Sequence, residues 1–420
     1  MSSMLKLRAA SSNCLRMKDW FACRIKICMS FFADVPKAPP DPLLSITGRF
    51  KADSRPNKFD LGIGVLRRTD NTSHEFETVK VAAKSVAPSC FYPHPGGDDK
   101  FVSLMAEVIF GSSLPPRVMG VQTVGGSGAL RVCAELLVSQ GITTMMLPDP
   151  SWANHKPLLG GGGLKITEYR YFKQDTHTVD IDSMLADIQA CPPKTAIMFQ
   201  VAAHNPTGVD ITDEQWDKIL ELMKSRRDLF PVFDSAYQGL ARGLNEDIQI
   251  VRKFLDAGLE FAVCSSCSKN FGLYGERVGS FFVACETPEI ASCVDSRCKL
   301  KIRHNYSVPP LFGAKIVSTI LSDPELRKKW EQELAETRTT LNRAHAAFAQ
   351  ALSKGGLDSK FSAPRFGLFT QLYLNEQQVL SLEKDHACYV APGGRVNVSS
   401  LDEQAAASVA NAVVQVLKST

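Results

Sequence analysis

Between about residues 100 and 320, short apolar runs alternate with amphipathic stretches. The runs 143–147, 195–201, 230–233, 261–264 and 280–285 have strand length and few polar positions. Strands apolar on both faces and separated by helices predict a mostly parallel sheet covered on both sides. One intervening stretch, 212–227, predicts a helix. Thr212 and Gln215 have capping-box spacing, and Trp216, Ile219, Leu220 and Met223 fall on one stripe. Asp323-Pro324-Glu325 opens a longer helical pattern that runs past Asn342, with proline in its first turn. Residues 365–420 mix short strands and helices and end on a helix over 401–417. The prolines of 36–42 predict an extended arm, neither helix nor central strand.

In such sheets ligands bind beyond the carboxyl ends of the strands. Polar residues concentrate there. Ala203-His204-Asn205-Pro206-Thr207-Gly208 follows one run, Asp234-Ser235-Ala236-Tyr237 ends the next, and Ser265-Ser266-Cys267-Ser268-Lys269 follows a third. Three successive strand ends would bring an Asn, an Asp, a Tyr and a Lys to one rim.

Composition narrows the class. The 420 residues carry 48 Lys and Arg against 44 Asp and Glu, interspersed except near the start, which does not point to nucleic acid. No uninterrupted apolar run is long enough to span a bilayer; 21–33 comes closest and is broken by Arg24 and Lys26. Twelve irregularly spaced cysteines do not read as a disulfide framework, and the single Cys264-x-x-Cys267 lacks partners at zinc spacing. Residues 1–28 differ from the rest. Lys6, Arg8, Arg16, Lys18, Arg24 and Lys26 face one acid, Asp19. This composition fits a mitochondrial-type transit segment. Equally, Met29 could be the start and 1–28 an upstream extension, so both a mitochondrial and a cytoplasmic location stay open.

The lysine motif is the strongest chemical signal. Lys269 lies between two small hydroxyl residues, Ser266 and Ser268, and a glycine-rich stretch ending Glu276-Arg277-Val278-Gly279. An amine at a strand end beside a phosphate site suits covalent carriage of a carbonyl cofactor. Gly125-Gly126-Ser127-Gly128 opens a helical stretch and can bind one phosphate. Its glycines do not have dinucleotide spacing, which disfavours a nicotinamide dehydrogenase. Asp234 would suit a protonated ring nitrogen and Tyr237 a phenolate oxygen. Ser127, Ser266 and Arg277 would hold the phosphate. These are the requirements of pyridoxal 5'-phosphate.

At this point the chain resembles the class I (fold type I) pyridoxal-phosphate aminotransferases, most closely the aspartate aminotransferase group. The resemblance rests on Ser-x-x-Lys-Asn-Phe-Gly-Leu-Tyr-x-Glu-Arg-Val-Gly at 266–279, Ala-His-Asn-Pro-Thr-Gly at 203–208 and Asp-Ser-Ala-Tyr-Gln-Gly at 234–239. Pro-Ser-Trp-x-Asn-His at 150–155, Ile-Arg-x-x-Tyr-Ser-x-Pro-Pro at 302–310 and Gly-Arg-Val-Asn at 394–397 add to it, as do 39–42 and Gly62-Ile-Gly64.

The resemblance implies an α/β fold: a large three-layer domain with a mostly parallel sheet, plus a smaller α+β domain. The expected division is an extension at 1–28, an arm at 29–40, a small domain from 41–72 and 337–420, and a large cofactor-binding domain at 73–336. It further implies a homodimer with shared active sites and the aspartate–2-oxoglutarate amino transfer. Lys269 matches the Schiff-base lysine, Asp234 the ring-nitrogen partner, and Tyr237 and Asn205 the ring-oxygen partners. Trp152 matches the stacking aromatic, and Gly126, Ser127, Ser266 and Arg277 match the phosphate cradle. Tyr92 matches a tyrosine that reaches the neighbouring subunit's phosphate. Arg395 matches the α-carboxylate clamp, with Gly64, Asn205 and Trp152 beside the substrate. Arg303 matches the distal-carboxylate arginine given by the partner subunit.

Four departures stand out: Gly125 for a usual serine, Gln200 for a histidine, Leu66 for a tyrosine and Val308 for an asparagine. The last two leave room for a broader donor range, including aromatic amino acids. A non-catalytic binding protein of this fold is the remaining alternative. His155 and His204 carry no catalytic expectation.

Overall fold

The computed structural model describes residues 31–357, 361 and 363–419. The expectations for residues 1–28 and for a start at Met29 lie outside these residues. Residues 31–41 form a unit of their own, a turn at 31–34 followed by chain without helix or strand, as the prolines predict. The remainder, from Pro42 onward, is the second unit.

In chain order the strands are β1 (Phe59–Asp60), β2 (Val118–Val124), β3 (Thr144–Asp149), β4 (Lys165–Arg170), β5 (Phe172–Lys173), β6 (Thr178–Val179), β7 (Thr195–Gln200), β8 (Phe230–Ser235) and β9 (Phe261–Ser266). They continue with β10 (Val278–Ala284), β11 (Phe369–Gln371), β12 (Cys388–Tyr389) and β13 (Arg395–Asn397). Seven of them make one sheet in the order β2-β10-β9-β8-β7-β3-β4. All neighbours in it are parallel except that β10 runs antiparallel to both β2 and β9. The mostly parallel sheet is therefore present, with one reversed strand.

Alternate side chains of a strand face opposite sides of the sheet. In β7, Ile197 and Phe199 enter one apolar core while Ala196 and Met198 enter the other. β9 divides the same way, Phe261 and Val263 against Ala262 and Cys264. This is why these runs have no polar face. Phe199, Trp216, Phe233, Phe254 and Phe261 meet edge-on or tilted, with ring centroids 5.0–6.4 Å apart. Trp216 comes from the helix Asp213–Ser225, whose Thr212–Gln215 capping box forms and whose predicted stripe is buried.

Two features tie the rest of the chain to the sheet. The helix Pro324–Lys354 buries Trp330 completely. Its ring stacks on Phe271 at 4.3 Å and 7°, and its indole N–H donates to the Asn270 carbonyl at 2.8 Å. That contact fixes the turn just after Lys269. Second, the early and late parts of the chain pack together. β1 pairs with β12, Asn397 Nδ2 donates to the carbonyls of Ile63 and Val65 at 2.7 and 2.8 Å, and Arg49 forks onto Glu383 at 2.6 and 2.9 Å.

His345, buried in the same long helix, lies between the Gly367 carbonyl (2.9 Å) and Thr370 Oγ1 (3.1 Å). Burial pushes its pKa down to about 4. The unfolded chain takes up a proton near the ordinary histidine value while the folded chain does so only near 4. Its share of stability is thus complete above the ordinary value and falls as pH drops between the two.

Two outcomes are expected. Trp330→Ala lowers the unfolding free energy by roughly 3–5 kcal/mol in urea titrations, through lost packing and an emptied volume. His345→Gln makes stability less acid-sensitive between pH 6.5 and 4, by up to about 1.4 kcal/mol per pH unit, measured as unfolding midpoints across that range.

Candidate active site

The central strands β9, β8 and β7 are neighbours, so their carboxyl ends deliver three loops to one place. Lys269 follows β9, Asp234 and Tyr237 come from the end of β8, and Asn205 follows β7. β2 runs directly into the helix Gly125–Ser139, which brings Gly126 and Ser127 to the same rim. A cavity of about 270 Å³ opens there. Eleven of the sequence-expected site residues line it: Lys269, Asp234, Tyr237, Asn205, Trp152, Gly126, Ser127, Ser266, Arg277, Arg395 and Gly64.

Lys269 Nζ lies 4.9 Å from the centre of the Tyr237 ring. Among the described residues no hydrogen-bond acceptor or carboxylate is paired with it, so the amine is free to react. Asp234 is buried and needs a donor. His155 Nε2 supplies it at 3.0 Å, and Ser151 Oγ lies 2.7 Å from His155 Nδ1. A serine hydroxyl donating to Nδ1 leaves the proton on Nε2, where the carboxylate accepts it. Trp152 stands edge-on to His155, with centroids 5.1 Å apart. The sequence reading gave His155 no catalytic expectation; the structure places it behind Asp234 as the donor to that carboxylate. His204 is different: it stacks on Tyr171 at 4.0 Å, bonds Thr207 Oγ1, and burial pushes its pKa down to about 3, as for a neutral structural histidine.

Arg395 is also buried and faces no carboxylate among the described residues. Its Nη1 donates to Asn205 Oδ1 (3.1 Å), its Nη2 to the Gly62 carbonyl (2.8 Å), and its guanidinium covers the Phe369 ring at 4.2 Å. Nε is left without an acceptor. Burial lowers its pKa from the ordinary arginine value. Asn205 turns its other end, Nδ2, to Tyr237 Oη at 3.3 Å. Gln200 spends its amide on the Asn205 backbone, and Asp234 pairs with His155.

The helix start forms a close-fitting cradle. Gly125 has φ +67°, and a Cβ there would lie 2.5 Å from Arg277 Nη2. A Cβ on Gly279 would lie 2.5 Å from the Gly125 carbonyl carbon. The absent hydroxyl at position 125 thus leaves room for the guanidinium of Arg277, which donates to the Tyr274 carbonyl at 2.9 Å. Backbone N–H groups, the hydroxyls of Ser127 and Ser266, and Arg277 together suit a phosphate.

Tyr92 and Arg303 lie elsewhere, exposed and joined to each other. Arg303 Nη1 donates to Tyr92 Oη at 2.6 Å and to Ser307 Oγ at 2.5 Å. Tyr92 Oη also shares a hydrogen bond with Ser307 Oγ at 2.5 Å, and this bond, more than the one from Arg303, lowers the Tyr92 pKa. Leu66 does not line the cavity; it is buried at the edge of a neighbouring hollow of about 520 Å³ with Arg68 and Glu333. Apolar walls come from Leu43, Leu130 and Phe369, which motif reading did not single out. Among the described residues Cys264 and Cys267 are free and buried, and no group of side chains is arranged to hold a metal ion.

Known proteins are similar to this chain along most of its length. Residues 56–413 match the family model described as "Aminotransferase class I and II". The aspartate aminotransferase of Escherichia coli is 37% identical over 92% of this chain and 100% of its own length. The mitochondrial aspartate aminotransferase of Xenopus tropicalis is 37% identical over 93% of this chain and 94% of its own. Among solved structures, the aromatic-amino-acid aminotransferase of Burkholderia pseudomallei, covalently bound to pyridoxal phosphate, superposes with a TM-score of 0.88, at 35% identity over 93% of this chain and 100% of that one. With a cavity built from these motifs and similarity along nearly its whole length, the chain belongs to the class I and II aminotransferases.

Proposed function

We propose that this protein is an aspartate aminotransferase that uses pyridoxal 5'-phosphate to pass the amino group between L-aspartate and 2-oxoglutarate, giving oxaloacetate and L-glutamate. The observation that carries the reading is the convergence on one cavity of a free amine, a buried carboxylate and a buried arginine without a carboxylate partner. The residues present fit the cofactor. The glycine cradle with Ser127, Ser266 and Arg277 suits its phosphate, Asp234 its ring nitrogen, Tyr237 and Asn205 its ring oxygen, and Trp152 its face. When bound, the cofactor supplies a carbonyl for the amino group and an electron-withdrawing ring.

The chain's own groups do the rest. Asp234, held by His155, keeps the ring nitrogen protonated by accepting its hydrogen bond. Arg395 takes the substrate α-carboxylate in a planar fork that lysine could not match. This satisfies the orphaned guanidinium edge. Lys269 Nζ, in the same cavity, would hold the cofactor and would serve as the base that moves the proton at the substrate Cα. Gly64 keeps that side of the cavity open, since a Cβ there would lie 3.1 Å from Phe369 Cζ. Transfer through a covalently held amino group gives ping-pong kinetics.

The distal carboxylate calls for a second cation. Arg303 fits that task from another copy of the chain, with Tyr92 beside it, and the proposed assembly is a homodimer sharing its sites. The proposed domain division follows the sequence: arm 29–40, small domain 41–72 with 337–420, large domain 73–336. The pairing of β1 with β12 supports joining the two small-domain segments, and the later boundary falls inside the unbroken helix Pro324–Lys354. No helix among the described residues is long and apolar enough to cross a membrane. Both mitochondrial and cytoplasmic locations are kept, the former with the transit-like composition of 1–28.

A second reading, broad specificity that includes aromatic donors, is favoured by the apolar walls at Leu43, Leu130 and Phe369. Comparing kcat/KM for aspartate and tyrosine decides between the two.

Lys269→Ala is expected to abolish the visible band of the bound cofactor and nearly all turnover; full activity in that variant overturns the assignment. Arg303→Asp is expected to lose about a hundredfold or more in kcat/KM for aspartate, with far less loss for tyrosine. Mixing the two inactive variants restores about a quarter of wild-type aspartate activity, because each hybrid dimer has one complete site. No recovery after exchange of subunits, proven by tagged pull-down, would refute the shared site.

A further inference from the structure

Gln200 is the last residue of β7 and sits opposite Asp234 in the register with β8. It lines the cavity but is only 7% exposed. Both ends of its carboxamide are engaged by one residue. Nε2 donates to the Asn205 carbonyl at 3.0 Å, and Oε1 accepts from the Asn205 N–H at 3.0 Å. A carboxamide carries a donor and an acceptor side by side, which is the pattern the edge of a peptide presents. The pair acts as a clamp on the main chain of Asn205.

Other groups anchor the same loop elsewhere. Asp210 accepts from the N–H of Ala203 (2.7 Å) and His204 (2.8 Å), and Arg365 Nη1 donates to the Thr207 carbonyl at 3.1 Å. Among the described residues no other side chain bonds the Asn205 main chain, so Gln200 alone fixes that peptide. The side chain of Asn205 then serves two partners at once, Tyr237 Oη through Nδ2 and Arg395 Nη1 through Oδ1. A small shift of its Cα would stretch both bonds, because the amide has no freedom left to follow.

We infer that Gln200 is a positioning residue that sets Asn205, and through it aligns Arg395 for the substrate carboxylate and Tyr237 for the cofactor oxygen. This rests on the proposed roles of Arg395 and Tyr237. Gln200 touches neither substrate nor reacting atoms in this account. The departure at position 200 is thus a second way of ordering the site rather than a lost contact. A leucine there keeps the bulk and removes both bonds. An asparagine keeps the amide but draws it back by one methylene from Asn205.

The test compares Gln200→Leu and Gln200→Asn with wild type, as full chains loaded with pyridoxal 5'-phosphate. Five quantities are read: KM and kcat with aspartate, the dissociation constant of maleate, the pH midpoint of the visible band, and hydrogen exchange of a peptide spanning 203–208 in protein freed of cofactor. In both variants KM and the maleate constant are expected to rise about tenfold, more than kcat falls, as for lost ground-state binding. The band's pH midpoint shifts, and exchange at Asn205 speeds up at least tenfold while the rest of the loop keeps its protection. Unchanged maleate binding and exchange overturn the inference. So does a lowered melting temperature with all five quantities intact, since that marks a merely structural glutamine. The exchange readout needs no turnover, so failure of the transamination reading and failure of the clamp give different results.

Discussion

A carboxylate buried at the heart of a sheet is tolerated only with a donor fixed in place, and Asp234 imposes that condition on everything around it. β8 ends with it at the floor of the cavity, only 7% exposed, so water cannot fully solvate it. His155 meets the need, and its own second nitrogen is met by Ser151. The short segment between those two residues contains Trp152. The geometry demanded by one buried charge therefore also orients the aromatic wall of the cavity. A helix or strand could have placed Asp234 or Trp152 separately; the hydrogen-bond relay places them together.

The loop after β7 is ordered by a different device. It has little regular structure of its own and borrows order from three directions: Gln200 in the sheet, Asp210 at its own far end, and the segment around residues 365–369. Phe366 N–H donates to the Gly208 carbonyl at 2.8 Å, and Gly208 sits against the Phe369 carbonyl so closely that no side chain would fit. Residues far apart in sequence thus define one rigid wall. The same segment supplies the Phe369 ring beneath Arg395, so the buried arginine and the loop it leans on share a support.

How much of this was visible in the chain depends on what each residue needs. The apolar runs of β7, β8, β9 and β10 announced themselves because both faces are buried. β2 and β4 were not among the predicted runs. They are the two edges of the sheet: β4 leaves Lys165, Glu168 and Arg170 exposed, while in β2 the polar Gln122 and Thr123 are buried but hydrogen-bonded. The reversal of β10 had a signal. Only a short segment without a helix separates it from β9, too little for a parallel crossover. Lys269, Asp234 and Arg395 were legible as chemistry plus long motifs. His155 was not, because a single histidine in a loop has no periodicity and its meaning lies entirely in a partner 79 positions away. Gln200 looked like a missing histidine, since nothing local shows that an amide will grip a backbone five residues on.

The orphaned edge of Arg395 has a consequence beyond recognition. A cation buried with one donor unsatisfied raises the free energy of the folded chain relative to one with a well-packed apolar residue there. A carboxylate that seats on it removes that deficit and also adds its own attraction. Affinity is therefore drawn partly from the resting protein's instability, and a small carboxylic acid becomes, in linkage terms, a folding ligand. The chain would be sturdier if it were worse at its task.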